Sequence, residues 1–129
     1  MSKYAFGKTV AMSFEDATQA VTQALAKEGF GVLTEIDVAA TLKKKLGLER
    51  PPYKILGACN PSYASKAIEA EPQIGLLLPC NVVVRQDAAG AVHVEFMDPH
   101  AVLELVRRPE VDALGSEVRA KLERVMAAL

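Results

Sequence analysis

Two Cys-Asn pairs are the residues of this sequence whose types and positions most suggest chemistry. Cys59-Asn60 ends one apolar run, and Cys80-Asn81 leads into another that contains three consecutive valines. Asn60 followed by Pro61 is typical of a helix start, because Asn caps the first turn and Pro is preorganised for it. A thiol beside that turn meets free backbone N–H groups and the positive end of the helix dipole, which favour thiolate. We therefore predict that Cys59, Asn60, Cys80 and Asn81 cluster in one ligand-binding or thiol site.

Other interpretations of the two cysteines stay open. They could form a regulatory disulfide, bind a soft metal, or be small buried hydrophobic residues, as free cysteines often are. Asp98 and His100 could add oxygen and nitrogen ligands, and with Cys59 and Cys80 they would make a tetrahedral set suited to zinc. The spacing matches no standard zinc site, however, and Asp98 before Pro99 is also the expected cap of a short helix.

Strands and helices that could position these residues alternate along the chain. Strands are predicted at residues 4–12, 30–36, 53–59, 74–85 and 91–97, the last two as a hairpin. Helices are predicted to begin after Ser13, Asp37, Asn60, Asp98 and Arg108. The second helix should turn Val38, Leu42 and Leu46 inward. The last helix has its expected buried stripe at Leu114, Val118, Leu122, Val125 and Leu129. This order predicts a single α+β domain over residues 1–129, with a mostly antiparallel sheet and helices on one face.

The composition of the chain disfavours several classes of function. The chain has 129 residues, half of them apolar, and a formal net charge of −1, which gives no general attraction to nucleic acid. No apolar stretch approaches the roughly 20 residues of a membrane span. With two cysteines and no signal-peptide pattern, we expect a cytoplasmic protein that contacts neither membrane nor nucleic acid. No hydrolase triad, phosphate-binding loop or paired-carboxylate motif is present, so enzymatic activity and any cofactor are left open.

Four segments together resemble a known family. They read YKILGACNP at residues 53–61, EPQIGLLLPCNVVV at 71–84, MDP at 97–99 and GFGVLTEID at 29–37. They are similar to the bacterial and archaeal family called domain of unknown function 302, and the similarity covers nearly the whole chain. The resemblance implies a fold like half of the TATA-binding protein, with the order β-α-β4-α and extra short helices, and it implies a homodimer. It supplies no catalytic residues, and a shared topology does not imply DNA binding.

Three functions are consistent with the sequence. The first is a small-molecule- or anion-binding module, with its pocket between the sheet and the helix that begins at Pro61. The second is a thiol-dependent redox or metal-binding protein that uses Cys59 and Cys80. The third is a structural homodimeric interaction domain. Its interface would lie on the sheet face opposite the helices, at Val83, Arg85, Ala91, His93, Glu95 and Met97.

Overall fold

The computed structural model describes residues 2–129, whose strands form one antiparallel sheet. The strands are β1 (Ala5–Val10), β2 (Gly31–Asp37), β3 (Tyr53–Cys59), β4 (Cys80–Gln86) and β5 (Val92–Met97), and their order across the sheet is β1-β5-β4-β3-β2. Every neighbouring pair is antiparallel. The helices are α1 (Phe14–Lys27), α2 (Val38–Leu46), α3 (Pro61–Ala70), α4 (Pro99–Leu103) and α5 (Pro109–Ala127). The predicted α+β class and element order are confirmed.

The first helix shows how local sequence sets these boundaries. Ser13 Oγ accepts a hydrogen bond from the Asp16 backbone N–H at 3.1 Å, which satisfies one free donor of the first turn. The residues that the spacing placed on one face are all buried: Phe14, Ala17, Val21, Ala24 and Leu25. After the helix, Gly29 has a φ of 87°, a left-handed conformation that favours glycine.

The core lies between one face of the sheet and two helices. Leu56 of β3, Val82 of β4 and Phe96 of β5 lie at matching register positions, and all three are buried. Helices α1 and α5 cover this face, and Leu25 and Leu122 belong to the same apolar cluster. A smaller cluster lies beside it, beneath α3, α4 and the start of α5. Because side chains alternate along a strand, the other sheet face carries the remaining residues.

Two local predictions were wrong, and a third was confirmed in part. Residues 74–79 are not strand: Pro72–Leu77 form a 3-10 helix that buries Ile74, and β4 begins only at Cys80. Helix α2 buries no residue, and Leu46 at its end is exposed. The α5 stripe is confirmed at Val118, Leu122 and Val125 and extends to Val111 and Gly115, whereas Leu114 and Leu129 are only partly buried.

Candidate functional site

An apolar pocket lies where β3 ends and α3 begins. It has a volume of about 50 Å³ and is open to solvent on one side. Its walls come from the end of β3, from α3, from the segment before β4 and from the facing sides of α4 and α5. The lining residues are Phe30, Ala58, Cys59, Asn60, Tyr63, Ala64, Ala67, Leu78, Pro79, Cys80, Leu103, Leu114 and Val118. Three of the four predicted site residues, Cys59, Asn60 and Cys80, therefore share one pocket.

The side chain of Asn60 does not cap α3 as the sequence suggested. It makes no hydrogen bond to the first turn of that helix. Instead its Nδ2 donates to the backbone carbonyl of Glu28 at 3.3 Å, at the end of α1. A Cβ at Gly29 would come within 3.1 Å of the same nitrogen. Asn60 thus ties the β3–α3 junction to the end of α1 and fixes one wall of the pocket.

The two thiols differ in their surroundings. Cys80 is buried, whereas Cys59 is partly exposed. Burial, with a smaller contribution from the neighbouring Cys59, raises the pKa of the Cys80 thiol to about 11. Cys80 therefore stays protonated at neutral pH, which opposes its use as a nucleophile or as a thiolate ligand.

Asn81 lies on the other side of the sheet. Cys80 pairs with Ala58 and points toward the helices, so the next residue of β4 points away from them. Asn81 pairs with Gly57 and is exposed. The structure thus separates Asn81 from the other three predicted site residues.

Asp98 and His100 lie at the start of α4, where Asp98 is the capping residue. Asp98 is buried and accepts hydrogen bonds from the backbone N–H groups of His100 and Ala101, at 2.9 and 3.2 Å. Its other oxygen pairs with Arg119 of α5. His100 Nδ1 lies 3.1 Å from Ser116 Oγ. Within residues 2–129, no three His, Cys, Asp or Glu side chains are grouped closely enough to hold a metal ion. The predicted mixed zinc set is therefore not assembled.

A second recess lies on the sheet face that no helix covers, and sequence reasoning did not identify it. It has a volume of about 350 Å³. Its lining residues are Ser2, Tyr4, Ala5, Tyr53, Asn81, Val83, Glu95, Phe96 and Met97. Alternation along β4 and β5 predicts that Val83, Glu95 and Met97 lie on this face. The contribution of Tyr53 was missed because its strand pairing with Arg85 joins residues distant in sequence and leaves no local signal.

Polar side chains on this open face form two hydrogen-bonded groups. Arg85 donates from Nε to one carboxylate oxygen of Glu95 at 2.6 Å and from an outer guanidinium nitrogen to the other at 3.3 Å. His93 lies 2.8 Å from Asp87 through Nε2 and 2.9 Å from Thr9 through Nδ1. The bond from His93, together with the backbone N–H of Ala91, lowers the pKa of Asp87. Asp87 is therefore ionised at neutral pH and orients the imidazole.

Comparisons with known proteins agree with this fold. A family model described as domain of unknown function DUF302 matches residues 6–129. A crystal structure of an uncharacterized conserved protein DUF302 from Bacillus stearothermophilus has a TM-score of 0.90 and 24% sequence identity to this chain. The match covers 98% of each of the two chains and shows the fold alone at that identity. No curated protein matches the chain significantly. No helix within residues 2–129 is long and apolar enough to cross a membrane.

Proposed function

Because this chain belongs to the family described as domain of unknown function DUF302, whose description names no activity, we propose from the pocket itself that the protein binds a small apolar molecule. The observation that carries this proposal is the pocket at the β3–α3 junction, whose lining within residues 2–129 includes no charged residue. Pockets for small molecules are lined mostly by apolar side chains with a few fixed polar groups. Here the polar residues of the lining are Asn60, Tyr63 and the two cysteines.

The lining favours an apolar ligand over an anion. Helix α3 begins with Pro61, which has no N–H to donate, and the Asn60 amide is engaged with the Glu28 carbonyl. In the part of the chain that the structure describes, no lysine or arginine lines the pocket. Its volume of about 50 Å³ corresponds to roughly three to five water-sized positions. The ligand that fits is the end of an alkyl chain, with the remainder of the molecule in solvent.

A titration with 1-hexanol tests this proposal, and 1,6-hexanediol serves as the matched polar control. In protein with labelled alanine methyl groups, we expect hexanol to shift the NMR signals of Ala58, Ala64 and Ala67. Ala64→Leu fills the pocket and should abolish the shifts, whereas Ala120→Leu, on the exposed face of α5, should preserve them. Equal shifts with the diol, or shifts retained in Ala64→Leu, would contradict the proposal.

The thiol-dependent alternative has less support. The raised pKa of Cys80 leaves little thiolate at neutral pH. A redox pair or soft-metal site that uses both sulfurs would first have to ionise this buried thiol, at a free-energy cost of about 1.4 kcal/mol for each pKa unit.

A homodimer through the open sheet face is the second candidate function. The observation in its favour is that helices cover one sheet face only, while Val83, Met97 and the exposed Ile36 leave apolar area on the other. A second copy would bury this area with the same patch used twice. The pairing of Arg85 with Glu95 within one chain leaves both side chains about one-third exposed.

Sedimentation equilibrium separates the dimer from the monomer. We expect about twice the monomer mass at micromolar concentration, and Val83→Glu should reduce it to the monomer mass because a charge would enter the interface. Leu76→Glu is the control, since Leu76 is exposed and belongs to the 3-10 helix and not to a strand. A wild-type monomer would contradict the dimer, and a dimer that persists in Val83→Glu would place its interface elsewhere.

A further inference from the structure

The recess on the open sheet face is large enough to hold a complete small molecule. Its volume of about 350 Å³ falls within the range of roughly 300 to 1,000 Å³ that is usual for ligand sites. It lies on the face opposite the apolar pocket, and the two share no lining residue. A ligand in this recess would therefore be a different molecule from the one proposed above.

Small residues of β1 make room for the recess beside β5. Ala5 lines it, and Gly7 pairs with Glu95. A Cβ at Gly7 would overlap the Val94 carbonyl oxygen and would lie 3.0 Å from Glu95 Cγ. Glycine at this position lets the Glu95 side chain lie close over β1, and Glu95 is one of the residues that line the recess.

The Glu95 carboxylate is held in a fixed orientation. Arg85 contacts both of its oxygens, at 2.6 and 3.3 Å. Such two-point contacts fix direction as well as distance. Each carboxylate oxygen has a second lone pair that can accept an N–H from a ligand. Glu95 lines the recess and Arg85 does not, so Glu95 is the member of this pair that lies beside a ligand.

The remaining walls suit a flat ring. Tyr4 and Tyr53 supply aromatic surface, and Val83 and Met97 supply apolar surface. Asn81 adds an exposed amide that can both donate and accept. Among residues 2–129, no lysine, arginine or histidine lines the recess, and the carboxylic acid in its lining is Glu95. This lining disfavours an anion and favours a ligand whose edge carries N–H groups.

We propose that this recess binds a planar heteroaromatic ring that carries amino groups and is neutral or cationic. The ring packs against the tyrosines, its amino group donates to Glu95, and the Asn81 amide bonds a neighbouring ring nitrogen. Amino-substituted pyrimidines and purines have this chemistry. Both polar partners are needed, because a ring held by stacking alone would bind without preference for amino groups.

A titration with 2,4-diaminopyrimidine tests the proposal, and benzoate is a planar anionic control of similar size. We expect saturable binding of the diamine, with shifts of the Tyr4 and Tyr53 ring signals in NMR spectra, and no saturable binding of benzoate. Glu95→Gln should weaken the affinity about tenfold, because a charge-assisted hydrogen bond is lost. Glu69→Gln, on the exposed surface of α3, should leave the affinity unchanged.

Asn81→Ala provides a second variant, because the position is exposed and the change does not disturb the Arg85–Glu95 pair. It should also weaken diamine binding, whereas Ala64→Leu in the apolar pocket should not change it. The ligand and the proposed homodimer would use the same residues of the open face and would exclude each other, so Val83→Glu, which affects both, is avoided here. Absence of saturable diamine binding up to about 1 mM, benzoate binding of equal strength, or unchanged affinity in Asn81→Ala would each overturn the proposal.

Discussion

Leu122→Ala measures how strongly α5 is packed against the sheet. Leu122 is fully buried, in the same cluster as Val82 and Phe96. The substitution removes three carbon groups, and at about 0.8 kcal/mol for each the lost transfer free energy is roughly 2.4 kcal/mol. Incomplete collapse around the empty space adds a cavity cost, so we expect a loss of about 2–5 kcal/mol in the free energy of unfolding.

The assay is a urea melt of the wild type and the variant, supported by thermal unfolding. For a chain of this size about 1 kcal/mol corresponds to about 4 °C, so the melting temperature should fall by roughly 8–20 °C. Leu46→Ala is the matched control, because Leu46 also lies in a helix but is 65% exposed. Its effect should stay within about 0.5 kcal/mol. A Leu122→Ala loss below about 1 kcal/mol would refute the packing of α5 described here.

Further predictions test the thiol, the hairpin turn and the 3-10 helix. Since the pKa of the buried Cys80 is raised to about 11, iodoacetamide at pH 8 should label it only after unfolding in guanidinium, and rapid labelling of the folded protein would contradict this. The pKa of Asp87 is lowered mainly by the bond from His93, so its contribution to stability is present above the unfolded pKa and lost as pH falls through the folded one. Asp87→Asn should therefore reduce the loss of stability on acidification, measured by urea melts at pH 6 and at pH 3. Ile74→Ala should cost about 2–5 kcal/mol and Leu76→Ala little, since only the former side chain is buried.

Local signals predicted those parts of the fold that depend on neighbouring residues. Ser13 and Gly29 mark the two ends of α1, because a hydroxyl cap and a left-handed glycine act within one turn of the helix. The same holds for Asp98, which caps α4 with its carboxylate. Asn60 shows the limit of such signals. The helix starts where the Asn-Pro pair indicates, but the amide bonds to Glu28, a residue distant in sequence.

The run at residues 74–79 was misread because a short apolar stretch fits either a strand or a helix. In a 3-10 helix, residues three apart lie on one side. Ile74 and Leu77 have this spacing, and both belong to the smaller apolar cluster, while Leu76 points to solvent. The 3-10 helix places these two side chains in the space beneath α3 and α4. That space results from tertiary packing, which the sequence does not show.

Alternation along β4 is enough to predict the sheet face on which Asn81 lies. Val83 and Arg85 were assigned to the open face, and Asn81 has the same parity along β4, so it could not also share the face of Cys80. Alternation along single strands does not predict the recess. Its lining includes Tyr53 of β3, which lies beside β4, and Ala5 of β1, which lies beside β5, and these neighbours depend on the order of the strands in the sheet.

The start of β4 connects the two candidate sites without merging them. Cys80 borders the apolar pocket, and Asn81, the next residue, borders the recess on the opposite face. The sheet between them is buried on one side and not covered by helices on the other, and within residues 2–129 the first lining is uncharged while the second includes Glu95. An apolar chain end and an amino-substituted ring therefore have no reason to compete for the same surface. Because successive residues of a strand point to opposite faces, β4 alone places the two proposed sites on opposite sides of the sheet.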